Sequence, residues 1–190
     1  SNHARVIDII PGGVVTGAGE AYVKTDDDGN WIHDPGKDIL KIAVIERHHG
    51  TGLHATALIR GYGLKHGAVA TSIAHDSHNI IVVGDNDEDM LHSVEKLIET
   101  GGGITMFKDG RELGTHRLEI AGLMTDDSLG NVTECLDKMH EICEKELCVN
   151  KDIDPFMTLC FMALPVIPSY KLTDSGLFDV VSFSFVDNCL

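Results

Sequence analysis

Apolar residues along this chain fall mostly into short, nearly continuous runs, with helical stripes in only two places. Ile39 to Ile45 is almost unbroken, the pattern of a strand buried on both faces. Ala55 to Ile59, Ala68 to Ala74 and Ile80 to Val83 predict three more strands, the last closed by Gly84. Before them, Val6 to Val15 reads as two short strands about a Pro11-Gly12 turn, followed by Tyr22-Val23 and a solvated turn over Asp26 to Asn30. That acidic run ends in Gly29 as a calcium loop would. The position where such a loop needs its bidentate Glu is Pro35, so a calcium site is not expected.

The periodicity changes at Asp85-Asn86-Asp87-Glu88-Asp89. Short polar side chains here can accept from the free N–H groups of a first helical turn, and their charge suits the positive end of the helix dipole. Met90, Val94, Leu97 and Ile98 share a helical face, and Gly101 is placed to end the helix. Gly101-Gly102-Gly103 follows a helix rather than preceding one, which makes it a stop signal and not a phosphate cradle. Ile104 to Phe107 and Leu113 to Ile120 flank Asp109-Gly110, the chemistry of a tight hairpin. Asp126 is positioned to cap a second long helix with Leu129, Val132, Leu136, Met139 and Cys143 as its buried stripe. Phe156 to Ile167 fits a central strand or a short helix, and a turn over Leu172 to Leu177 leads to a last strand, Val180 to Val186. Together these predict an α+β fold, a mixed β-sheet with two main helices. A boundary is expected near Pro35-Gly36. Residues 1–36 are too few for a core of their own and read as a residual β segment linking from an upstream domain, and residues 37–190 form the main α+β domain.

The formal charge of -15 narrows the function classes. Such a surface repels phosphate backbones and anionic lipid, and Lys and Arg are scattered, so neither nucleic acid nor membrane is an expected partner. The five cysteines form no Cys-x-x-Cys pair and are expected as buried or half-buried thiols in a reducing cytoplasm. The longest apolar run is broken by Thr158 and Pro165 and falls short of the ~20 residues a membrane helix needs. The chain opens on Ser1-Asn2 rather than Met and is expected to be a trimmed piece of a longer protein.

Two polar clusters interrupt the apolar runs at predicted strand ends: Glu46-Arg47-His48 and His75-Asp76-Ser77-His78-Asn79. Unpaired polar groups in such places cost roughly 1–3 kcal/mol each, so they are held there either by internal hydrogen bonds or for a site. In an extended segment His75 and Ser77 share a face; in a turn His75 and His78 converge. The second cluster has the means to bind a purine edge, relay a proton or, as an alternative, ligate a divalent metal through His75 and His78. For Glu46, Arg47 and His48 the plain alternative is an internal ion pair with a satisfied imidazole. His49, His54, His66, His92, His116 and His140 are isolated in sequence and expected at the surface. Neither a Gly-x-Ser-x-Gly elbow nor the His-x-Glu with Pro-Cys-x-x-Cys of zinc nucleoside deaminases is present.

In their setting these clusters carry a resemblance. Ile42 to His48, Gly61-Tyr62-Gly63-Leu64 and Ala74 to Asn79 resemble the C-terminal region of bacterial and archaeal adenine deaminases of the amidohydrolase superfamily. The likeness continues through Gly84 to Met90, Ile120 to Met124, Asp154 to Thr158, Ala163 to Pro168 and Leu172-Thr173-Asp174. Ile7 to Gly12 looks like the link leading out of the family's catalytic barrel, with residues 1–36 left from the β-sandwich beside it. The resemblance implies hydrolysis of adenine to hypoxanthine and ammonia by a homo-oligomeric cytoplasmic enzyme of purine salvage. It also implies a manganese or iron centre held by the barrel, which is absent from this chain. No metal ligand or general base is therefore carried over, and the piece is expected to be inactive alone. Glu46, Arg47, His48 and His75 to Asn79 are expected to shape or close the mouth of the barrel. The alternatives are a non-catalytic oligomerisation or effector-binding module, and a small metal-binding domain using His75, His78 and His48.

Overall fold

Strand β5 (Ile39–Ile45) and strand β6 (His54–Arg60) are antiparallel neighbours near the middle of an eight-stranded sheet. The computed structural model describes residues 2–190, so Ser1 lies outside the described residues. The other strands of the sheet are β1 (His3–Ile9), β2 (Thr16–Tyr22), β7 (Ala68–Thr71), β8 (Ile80–Gly84), β9 (Gly103–Lys108) and β10 (Arg111–Arg117). Their spatial order is β10–β9–β7–β8–β5–β6–β1–β2. All neighbours run antiparallel except β1 and β6, which run parallel, so the sheet is mixed. A ribbon of β3 (Lys24–Thr25) and β4 (Trp31–Ile32) flanks it.

Alternation along β5 sends Leu40, Ile42 and Val44 to one face and Ile39, Ala43 and Ile45 to the other. The first face meets α2 (Leu129–Lys145), α3 (Pro155–Cys160), and the strands β11 (Tyr170–Thr173) and β12 (Gly176–Asp179), which supply Met139, Cys143, Phe156, Leu159, Leu172 and Leu177 to the main core. Each such side chain contributes about 1.5–3 kcal/mol through removal from water. The second face is covered over β7, β8 and β9 by α1 (Asp87–Thr100), through Met90 and Leu97. The α+β class and the mixed sheet are therefore as the sequence predicts.

The acidic run before α1 does more than start the helix. Asn86 is the N-cap and accepts from the Asp89 N–H at 2.8 Å, and Gly101 ends the helix in the left-handed region at φ 78°. Asp85 accepts from the His66 and Gly67 amides, at 2.5 and 2.9 Å. Asp89 accepts from those of Asp109 and Gly110, at 3.0 and 2.8 Å. One motif thus pins two loops to the start of the helix.

Several boundaries differ from the pattern. Ile98 is 65% exposed, because the face toward the sheet is centred on Met90, Ser93 and Leu97 and turns Ile98 outward. Helix α2 is capped by Ser128 rather than Asp126, and Leu129, its first residue, is exposed. Phe156 to Ile167 resolves as the short helix α3, set by the Asp154 cap and Pro155 in its first turn, followed by turns. The expected last strand shrinks to β13 (Ser184–Phe185), since the Asp179 carboxylate binds the Val181 amide and the Ser182 hydroxyl and bends the chain between. Cys143 and Cys160 are buried, and burial pushes their thiols up to about 12 and about 11. Cys148 and Cys189, expected buried, stand exposed on a helix-end turn and on the tail. No helix among the described residues is long and apolar enough to cross a membrane.

Candidate functional site at one end of the sheet

The antiparallel register of β5 and β8 pairs Ile45 with Ile80. The residues that follow β5 and those that precede β8 are therefore brought to the same end of the sheet. This is what unites Glu46, Arg47 and His48 with the segment His75 to Asn79, about thirty residues away in sequence. Arg47 Nε donates to the His78 carbonyl at 2.6 Å, and His48 Nε2 meets the Ser77 carbonyl at 2.7 Å.

The first cluster is a set of staples. Glu46 turns its carboxylate back on its own loop and accepts from the amides of His48 (2.5 Å), His49 (2.8 Å) and Thr51 (3.1 Å) and from the Thr51 hydroxyl (2.9 Å). Those donors, the Thr51 amide first, hold its acidity down at about 2, so the carboxylate keeps its charge and the loop its shape at any ordinary pH. The second arm of Arg47 donates to the Ala121 carbonyl at 2.8 Å. Ala121 and Gly122 both have positive φ, 59° and 70°. That turn is in turn held by the buried Ser72, whose hydroxyl donates to the Gly122 carbonyl at 2.6 Å and accepts from the Gly103 amide at 2.8 Å. The internal Glu46–Arg47 ion pair considered from sequence does not form. Arg47 spends its hydrogen bonds on backbone carbonyls, and Glu46 spends its own on three backbone amides and the Thr51 hydroxyl.

The second cluster splits in two. His78 and Asn79 turn inward: His78 has φ 52°, its N–H donates to the Ala74 carbonyl at 2.5 Å, and Asn79 is 4% exposed. The His78 Nδ1 and Asn79 Oδ1 atoms are buried without a hydrogen-bond partner. Burial, then the nearby His75 and Arg47, push the His78 imidazole below the usual histidine range. His75, Asp76 and Ser77 face outward. The His75 amide is anchored to the Cys160 carbonyl at 2.8 Å, and its ring stacks on Phe161 with centroids 5.5 Å apart. Its Nδ1 touches the Asp76 carboxylate, which is 75% exposed. Of the eight residues the sequence singles out, His75 and Asp76 form the exposed imidazole–carboxylate pair, while the exposed His48 ring is tied to the Ser77 carbonyl.

His75 and His78 do approach in a turn, with ring centroids 6.3 Å apart. No group of three or more His, Cys, Asp or Glu side chains among the described residues is arranged to hold a metal ion. Sequence reasoning missed Phe161 beneath His75 and the Ala121-Gly122 turn beneath Arg47; only tertiary contacts reveal either. It also placed His92, His116 and His140 at the surface, where the structure half-buries them. His140 bridges the Leu136 carbonyl and Asp154, because α3 packs beside α2 at that point.

Residues 13–184 match the family model described as the adenine deaminase C-terminal domain. The adenine deaminase of Nitratidesulfovibrio vulgaris (strain DP4) is 51% identical over 182 residues, 96% of this chain but 31% of that protein. Adenine deaminase 2 of Desulfotalea psychrophila is 48% identical over 186 residues, covering 98% of this chain and 32% of the relative. A third relative, the adenine deaminase of Clostridium acetobutylicum, is 55% identical over 148 residues. The chain spans about a third of the length of the first two relatives. It belongs to the adenine deaminase C-terminal domain family.

Proposed function

We propose that this chain serves as the C-terminal part of an adenine deaminase, in which the loops at the β5/β8 end of the sheet cover the mouth of the active site. The full-length enzyme hydrolyses adenine to hypoxanthine and ammonia, in the cytoplasm, as a homo-oligomer serving purine salvage. Its manganese or iron would polarise and activate water, and is assigned to the barrel that precedes this region. The described residues of this chain do not fit that metal, since no three His, Cys, Asp or Glu side chains among them are arranged to hold an ion. Residues 1–36 would carry the chain from the barrel into the α+β domain of residues 37–190, whose sheet β1 and β2 complete.

One observation carries the reading: two separated polar clusters converge at one sheet end, with Glu46, Arg47 and His48 bound mainly to backbone and His75 and Asp76 exposed as a pair bonded to each other. A rigid scaffold presenting an imidazole and a carboxylate is suited to positioning a purine and to excluding water from a neighbouring pocket. By contrast, a purely structural module has no use for an outward pair on so heavily stapled a base.

The test is His75→Ala and Asp76→Ala in a full-length adenine deaminase carrying this chain as its C-terminal third. Each is expected to lower kcat/KM for adenine by roughly tenfold to thirtyfold, the scale of losing a positioning contact, with thermal stability preserved. Unchanged turnover in both variants rejects the pocket role and returns the segment to a structural one. Lower stability without a specific kinetic defect does the same.

A further inference from the structure

The second face of the sheet is only partly covered. Helix α1 lies over β7, β8 and β9, and Trp31 with Val23 packs at the β1 side over Val6, Ile39 and Leu58. Between them, the β5–β6 pair has no layer above it at its Ile45 end. The register places Ala43 opposite Thr56 and Ile45 opposite His54, all on this face. These residues, with Val82 and the α1 flank of Leu91 and Val94, line a groove of about 340 Å³. Ala43, Ile45, Val82, Met90, Leu91 and Val94 make its floor and its α1 wall apolar, His54 and Thr56 stand on the β6 side, and Leu91 is 57% exposed. At its far end the Lys41–Asp87 ion pair, 2.5 Å, ties strand to helix and fixes the groove's width.

Central strands of a mixed sheet that are apolar on both faces call for a layer on each. We infer that this groove is the seat of a segment from the preceding part of the full-length enzyme, an apolar strand or the apolar face of a helix. Such docking presupposes that the chain works within a longer adenine deaminase, as proposed above. Two observations choose this occupant over a second copy of the chain. The relatives devote only 31% and 32% of their length to this region, so most of their polypeptide has to meet it somewhere. The groove opens beside Ile45 and His54, the two ends of the Glu46–Leu53 loop, and so adjoins the loops assigned to the active-site mouth.

Peptide-resolved thiol labelling of the full-length enzyme tests this. Leu91→Cys and Thr56→Cys probe the groove, and Ile98→Cys, on the outer side of the same helix, is the exposed reference. With the groove occupied, the first two should react roughly tenfold or more slowly than the third, since thiol reactivity follows access. Labelling as fast as at position 98 overturns the inference, as does protection that disappears on dilution to monomers, which assigns the groove to a second copy. Adenine turnover is read separately. Protected groove thiols with no kinetic effect of His75→Ala would leave the docking standing and remove the pocket role.

Discussion

Asp89→Ala is expected to lower the unfolding free energy by about 3 kcal/mol, through loss of charge-assisted hydrogen bonds to the hairpin turn. Asp89 is 1% exposed, and its carboxylate accepts from the Asp109 and Gly110 amides and from Asn86 Nδ2 at 2.9 Å. Without it, the turn joining β9 and β10 loses its anchor on α1, and the N-cap side chain loses one of the two carboxylates that orient it. Water can reach the exposed turn amides afterwards, which keeps the cost below the full desolvation penalty. Asp89→Asn retains one acceptor oxygen and should cost roughly half as much. The readout is the denaturation midpoint of both variants at constant slope. Equal stability of wild type and Asp89→Ala would mean that the turn holds itself.

The same residue shows how far the sequence could be read. The run Gly84 to Met90 was legible as a helix start and as part of a family resemblance, because capping is local chemistry. Its second task, holding the 66–67 and 109–110 loops, was not legible, because it depends on which strands lie beside α1. A similar division runs through the site. That Glu46 to His48 and His75 to Asn79 stand at strand ends follows from the apolar runs on either side. That they meet follows from the pairing of Ile45 with Ile80, which no local pattern encodes. Which members face outward was also hidden, since Arg47 and His48 find their acceptors on main-chain carbonyls of other loops. Misplaced ends such as Leu129 and Ile98 have the same origin: helical periodicity gives a stripe, and the width of the covering layer decides how much of it is buried.

Lys171 carries the other large expectation. It lies on β11 with no exposed surface, and its ammonium donates to one acceptor, the Val14 carbonyl at 2.9 Å. No carboxylate stands within ion-pair distance among the described residues. Burial holds its acidity near 8 instead of the ordinary 10.5, which corresponds to roughly 3 kcal/mol of destabilisation by the charge. The sign follows from proton counting. Below pH 8 both folded and unfolded chains carry the proton and the full penalty is present. Between 8 and 10.5 the unfolded chain binds more protons than the folded one, so this group's contribution to stability rises with pH. Lys171→Met keeps most of the volume, removes the charge and gives up one hydrogen bond. At pH 7 it should be the more stable protein by about 2 kcal/mol, once the lost bond to Val14 is set against the relieved charge. The advantage should shrink steadily and vanish by about pH 10 as the wild-type amine loses its proton in the folded state. Denaturation of both proteins at several pH values across this range measures the difference directly. A gap that stays constant with pH would show that the ammonium is already solvated or paired. A gap that closes would mark Lys171 as a charge retained at a cost to the fold, beside the loop that joins β1 to β2.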